Sequence, residues 1–195
     1  MLATLQGKKV VIVIAPEEFR DEEFAQPHAA LNLAGADVTV ASVEEGKCYG
    51  SRGSVVHATM SLAEASTKQW DAVVFVGGAG GQIYVNDLTA HILARQAVEN
   101  GAVLAAICMA PAILAHAGIL KGLEATVFVD RADELRKYGA IYKEYPVVEA
   151  KNSVNGAPVI TGNGPEAAFA FGQTVVNALR GPMDFLVDFK NIPVK

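Results

Sequence analysis

The sequence predicts an α/β fold in which a doubly wound, mainly parallel sheet is sandwiched by helices. Three observations lead there. Short apolar strands alternate with helical segments along the whole chain, the pattern of repeated βαβ units. The runs 10–15, 72–76 and 103–107 are apolar at every position rather than at every second one, as in a sheet covered on both faces. Composition agrees: of 195 residues, 51% are hydrophobic and only 19% charged, and mean hydropathy is +0.27.

Residues 9–15 (Lys-Val-Val-Ile-Val-Ile-Ala) read as a buried strand, and 22–34 as a helix ended by Gly35. Residues 37–43 form a second strand, and the glycine-bearing excursion 44–59 a small hairpin. The strand 71–76 runs into Gly77-Gly78-Ala79-Gly80-Gly81. A helix over 88–99 follows, with His91, Arg95 and Glu99 on one polar face, and Gly101 stops it. Strand 103–107 leads into Cys108, and 112–117 is helix-forming. A strand near 125–129, a helix near 131–138 and strands around 147–148 and 159–160 come next. Pro165 suits the first turn of the last helix, where Phe171, Val175 and Leu179 make the apolar stripe. One domain is expected over 1–180, with 181–195 a tail or added helix.

Net charge is −5, which argues against binding nucleic acid through a basic surface. No stretch has the length of a membrane span, and residues 1–8 lack the pattern of a secretion signal. Two cysteines with no CxxC pairing suit a reducing compartment and give no support for structural zinc. The cytoplasm is the expected location, with no metal, cofactor or nucleic-acid partner.

Cys108 carries the chemical signal. A strand that turns at once into a helix holds a side chain clear of the sheet, and the crowded turn needs small residues two positions away. Ala106 and Ala110 supply them. The helix N-terminus favours negative charge, so the thiol is expected to lean toward thiolate. A buried structural cysteine is the competing reading. The loop 77–81 lacks the Lys-Ser/Thr of a phosphate cradle. Its better reading is an oxyanion hole formed by the N–H groups of Gly78 and Met109. Glu17, Glu18, Asp21, Glu22 and Glu23 crowd the exit of the first strand, and a carboxyl buried there beside the thiol has its pKa raised. No histidine follows Cys108. His28 reads as packing or interface, His57 as part of the hairpin, His91 as a solvated helix face, and His116 as a helix-end charge.

Together these features resemble the ThiJ/PfpI superfamily, which includes the parkinsonism-associated protein deglycase and intracellular peptidase-like proteins. The pieces are Ala105-Ala106-Ile107-Cys108-x-x-Pro111, Val76-Gly77-Gly78, Phe19-Arg20-Asp21-Glu22-Glu23-x-x-x-Pro27 and Ile160-Thr161-x-x-Gly164-Pro165. The resemblance spans about residues 8–180. It implies a flavodoxin-like fold, related to class I glutamine amidotransferases, and a homodimer. It makes Cys108 the nucleophile or redox thiol, Glu23 the protonated partner of the sulfur, and Gly78 and Met109 the oxyanion donors. Arg52 matches an arginine that reaches the partner subunit's site, and Asn163, Gly164 and Pro165 line the pocket. There are departures. Met109 replaces the histidine of peptidase-like members, Phe128 or Val129 stands where a His or Tyr is expected, and Arg20 stands where an acid is common. The expectation is a cofactor-independent enzyme acting on small reactive carbonyls. A redox-sensing stress protein or chaperone that meets an oxidant through Cys108 is the alternative, and a peptidase the minor one.

Overall fold

A computed structural model describes residues 4–181. In chain order it opens with β1 (Lys9–Val13), β2 (Glu17–Phe19), α1 (Asp21–Leu33) and β3 (Asp37–Ser42). A hairpin of β4 (Gly46–Gly50) and β5 (Val55–Ala58) follows, then β6 (Met60–Ser61), α2 (Leu62–Ala65) and β7 (Ala72–Phe75). Next come α3 (Leu88–Glu99), β8 (Val103–Ile107), α4 (Pro111–His116), β9 (Glu124–Ala125) and α5 (Ala132–Lys137). β10 (Ile141–Tyr142), β11 (Val147–Lys151), β12 (Pro158–Gly162) and α6 (Ala168–Arg180) complete it.

Seven strands form the central sheet in the order β11-β12-β8-β7-β1-β3-β6. Every pairing is parallel except β11 with β12. All of β7 and β8 is buried, as is β1 beyond Lys9. These strands need no polar face because α1 packs with α6, while α2, α3, α4 and α5 pack in succession. As the alternating pattern predicts, β1 lies inside the sheet, between β3 and β7. The carboxyl ends of β1, β7, β8 and β12 therefore meet at one place, where ligands collect in such sheets.

Three local readings change. The strand expected near 125–129 shrinks to β9, which pairs with β10 apart from the main sheet. Residues 126–128 instead run past the end of β8: Thr126 N–H donates to Thr161 Oγ1 at 2.9 Å and Phe128 N–H to the Cys108 carbonyl at 2.8 Å. The acidic exit of β1 contains β2, three residues that join the hairpin as a small third strand. His91 is buried rather than exposed, with Nε2 2.8 Å from the Val85 carbonyl, because that loop folds over the first turn of α3. The expected tail lies outside the described residues beyond 181.

α1 contains Pro27, which breaks the helix ladder at that point. α6 approaches there through Gly172: a Cβ on it would sit 2.8 Å from Pro27 Cα. Gly172→Ala is therefore expected to destabilise the fold by about 1–3 kcal/mol, since backbone stands in the way and helix and sheet must part. Chemical unfolding of the variant checks this, and an unchanged midpoint contradicts it.

Candidate active site

Cys108 follows β8 with φ +62, one of two non-glycine residues in the left-handed region among the described residues. Its N–H donates to the Gly162 carbonyl at 2.9 Å and its carbonyl accepts from Phe128, so both neighbours pin the strained turn. Ala106 and Ala110 are fully buried beside it, as the crowding argument requires. The sulfur is half-buried at the floor of a cavity of about 860 Å³ lined also by Arg20, Glu23, Gly78, Met109, Phe128 and Arg131. The N–H groups of Gly78 and Met109 both point at the sulfur. Strand, loop and helix turn thus bring the two expected donors to one atom.

Glu23, in the first turn of α1, is completely buried and reaches the same sulfur. Its Oε2 accepts from Gly77 N–H at 3.1 Å, while Oε1 makes no hydrogen bond of good geometry. The approach depends on Gly77, where a Cβ would lie 2.6 Å from Cys108 Cβ and 2.7 Å from Glu23 Oε2. Burial pushes the Glu23 carboxyl up to about 7, against hydrogen bonds from Cys108 and Gly77 that favour its charged form.

The thiol departs from expectation. Burial, followed by the charge of Glu23, pushes Cys108 up to about 12, and the donors from Gly78 and Met109 only partly offset this. α4 is a short helix, and its terminal field does not outweigh the loss of water around the sulfur. The resting pair is a thiol facing a carboxyl, and the carboxyl is the stronger acid of the two. Glu23, in contact with the sulfur, is the group positioned to take the thiol's proton.

The structure separates some of the remaining candidates. Pro165 lines the Cys108 cavity, but Asn163 and Gly164 face an adjoining one of about 340 Å³, with Phe128 and Pro165 common to both. Arg52 is exposed and lies outside the cavity's lining, whereas its neighbour Ser51 belongs to it.

What holds that tip is a carboxylate the sequence marks only as one of five acids. Asp21 accepts from the N–H of Arg52 at 2.7 Å, from the N–H of Ser54 at 2.8 Å and from the Ser54 hydroxyl. Burial pushes its pKa up, but these donors win and leave it below the usual carboxylate range. Asp21→Asn turns one oxygen into a donor facing donors. It is expected to cost about 1–3 kcal/mol and to free residues 51–54. Amide hydrogen exchange that leaves 51–54 as protected as before contradicts this.

A second group went unread in the sequence. His116 Nε2 lies 2.7 Å from Glu134 Oε1, its Nδ1 2.8 Å from Asn86 Oδ1, and its ring stacks on Tyr138. Glu134 also accepts from Arg131 at 2.7 Å, and Arg131 reaches Gln82. Through Gln82, Arg131 and Glu134 this network braces part of the cavity lining. Among the described residues, no three His, Cys, Asp or Glu side chains are grouped to hold a metal ion. No helix among them is long and apolar enough to cross a membrane.

Comparison with known proteins agrees with this geometry. The pattern of the DJ-1/PfpI family matches residues 8–178. The chain is 37% identical to the uncharacterized protein MJ0967 of Methanocaldococcus jannaschii over 90% of its own length and 84% of that relative. It is 31% identical to deglycase TK1284 of Thermococcus kodakarensis, over 74% of this chain and 87% of that one. A ThiJ/PfpI domain protein from Brachyspira murdochii superposes with a TM-score of 0.82 at 28% identity, covering 89% of this chain and 98% of that structure. With the elbow, the buried glutamate and the parallel sheet in place, the chain belongs to the DJ-1/PfpI family.

Proposed function

We propose that this protein is a cofactor-independent cysteine enzyme that converts reactive 2-oxoaldehydes, or their adducts, into 2-hydroxy acids. The observation that carries the proposal is the buried Glu23 carboxyl coupled to the Cys108 thiol, with two N–H donors at the same sulfur. The deglycase name of the Thermococcus relative points the same way. The chemistry balances without an outside oxidant. Cys108 sulfur adds to the aldehyde carbon while its proton passes by way of Glu23 to the former aldehyde oxygen, giving a hemithioacetal and leaving Glu23 a carboxylate. Glu23 then removes the hydrogen from that carbon and returns a proton to the neighbouring one, while the hydroxyl proton of the first carbon moves to the oxygen of the second, so the first carbon is oxidised to a thioester and the second reduced to an alcohol. Water cleaves the resulting thioester and releases the 2-hydroxy acid and the thiol. Proton shuttling of this kind contributes about 10²–10⁴-fold. Incubating the protein with methylglyoxal and no additive is expected to yield lactate, followed by proton NMR; absence of lactate removes the proposal.

The alternative is redox sensing. Glu23 Oε1, buried without a partner, is placed to hydrogen-bond an oxidised sulfur, and the Gly78 and Met109 donors favour its negative charge. Selective oxidation of Cys108 by graded peroxide, with no carbonyl turnover, distinguishes this reading. Peptide hydrolysis is disfavoured because Met109 offers no base after the cysteine. The proposal keeps a homodimer in which Arg52 reaches the partner's cavity; sedimentation at the mass of a single chain contradicts it.

A further inference from the structure

We infer that Arg20 and Arg131 make the cavity selective for carbonyl substrates that carry a carboxylate. This rests on the carbonyl chemistry proposed above and adds the substrate's charge to it. Arg20 caps the N-terminus of α1, three residues before Glu23, and its N–H donates to the Gly77 carbonyl at 3.1 Å. Its backbone is thereby fixed beside the oxyanion loop, and its side chain lines the Cys108 cavity. Nε is 2.8 Å from Glu22 Oε2, yet neither atom is in hydrogen-bond geometry. Among the described residues, no group accepts a hydrogen bond from the Arg20 guanidinium.

Arg131 lines the same cavity. Glu134 and Gln82 fix its two terminal nitrogens, but a guanidinium carries five N–H donors and three remain. The acids of the lining do not cancel this excess of donors. Glu134 has both oxygens engaged, by Arg131 and His116. Asp130 is exposed. Glu23 is turned to Gly77 and the thiol. Glu22 is not part of the lining and contacts only the root of the Arg20 guanidinium. What the cavity lining offers a ligand is therefore two guanidinium groups with unused N–H donors beside a nucleophile. A carboxylate matches the fork of a guanidinium with two parallel hydrogen bonds.

Two readouts test the inference. In the first, Cys108 is alkylated by iodoacetate or by iodoacetamide, and mass spectrometry separates its labelling from that of Cys48. Sulfur displaces iodide in both reactions, and the reagents differ only in charge. The rate ratio of acid to amide is expected to be at least about tenfold higher in the wild type than in Arg20→Glu, from the local enrichment that fixed charges give. Arg20→Gln falls between them, and Lys121→Gln, an exposed charge elsewhere, keeps the wild-type ratio. In the second readout, a 2-oxoaldehyde with a terminal carboxylate competes with its own methyl ester, and the acid is expected to win on kcat/KM.

Equal ratios in wild type and Arg20→Glu, or failure of both reagents to label Cys108, overturn the inference even if carbonyls are turned over. A selective ratio without turnover of either aldehyde leaves the inference standing and removes the carbonyl function. Thermal melting of each variant confirms that the comparison is made on folded protein.

Discussion

Cys108→Ser is expected to lower kcat/KM for methylglyoxal by at least about a thousandfold, with the melting temperature nearly unchanged. The side chains have the same shape, and serine at φ +62 meets the same backbone strain as cysteine. The donors from Gly78 and Met109 are main-chain groups and stay in place. What changes is the atom that attacks. A hydroxyl gives up its proton far less readily than a thiol, and its adduct cannot pass through a thioester. The thiol itself is not a free thiolate, since burial and the Glu23 charge push it up to about 12. Part of that rise comes from the carboxylate's charge, and this part vanishes once Glu23 holds the proton. On the proposed route sulfur is activated by transfer within the pair, a route closed to oxygen by its weaker acidity. Steady-state kinetics with melting curves on the same preparation check the prediction, and retained turnover shows that another group forms the covalent bond.

The same pair explains what the sequence could and could not reveal. β1, β7 and β8 were readable because each is a continuous apolar run, and a strand buried on both faces leaves no other pattern. The elbow was readable because Ala106 and Ala110 satisfy a steric demand local to five residues. Glu23 needed the family resemblance: composition alone does not say which of five neighbouring acids turns inward, because that depends on Gly77, more than fifty residues away. Asp21 shows the same limit. Its partners are the N–H groups of Arg52 and Ser54 and the Ser54 hydroxyl, and main-chain donors more than thirty residues away leave no side-chain signature. The Arg131–Glu134–His116 network draws on α4, α5 and the loop after β7, so no spacing along the chain announces it. The thiol's acidity departs from what helix position implies for a physical reason. Helix position is visible in a sequence, while the depth of burial that opposes it is a property of the assembled cavity.

Glu23→Gln separates function from stability. Turnover is expected to fall about 10²–10⁴-fold, since the amide can accept the Gly77 N–H but cannot carry a proton between carbons. The wild-type rate is expected to rise with pH through an apparent value near 7 that belongs to the pair, as the carboxyl becomes able to take the thiol's proton. In the variant that rise disappears. Stability should move the other way. The Glu23 pKa is raised on folding, from an ordinary 4.5 to about 7, so the folded state holds a proton that the unfolded state has released. The carboxyl's stabilising contribution is therefore complete below about pH 4.5 and is lost as pH climbs through 7. A shift of that size corresponds to about 3 kcal/mol at most. Glutamine does not ionise, so above pH 7 the variant is expected to melt at a higher temperature than the wild type, with the advantage shrinking toward pH 5. Melting curves between pH 5 and 8 provide the check. A variant less stable than the wild type at pH 8 would mean that the buried carboxylate is held by compensating contacts, and that this glutamate is structural rather than poised for proton transfer.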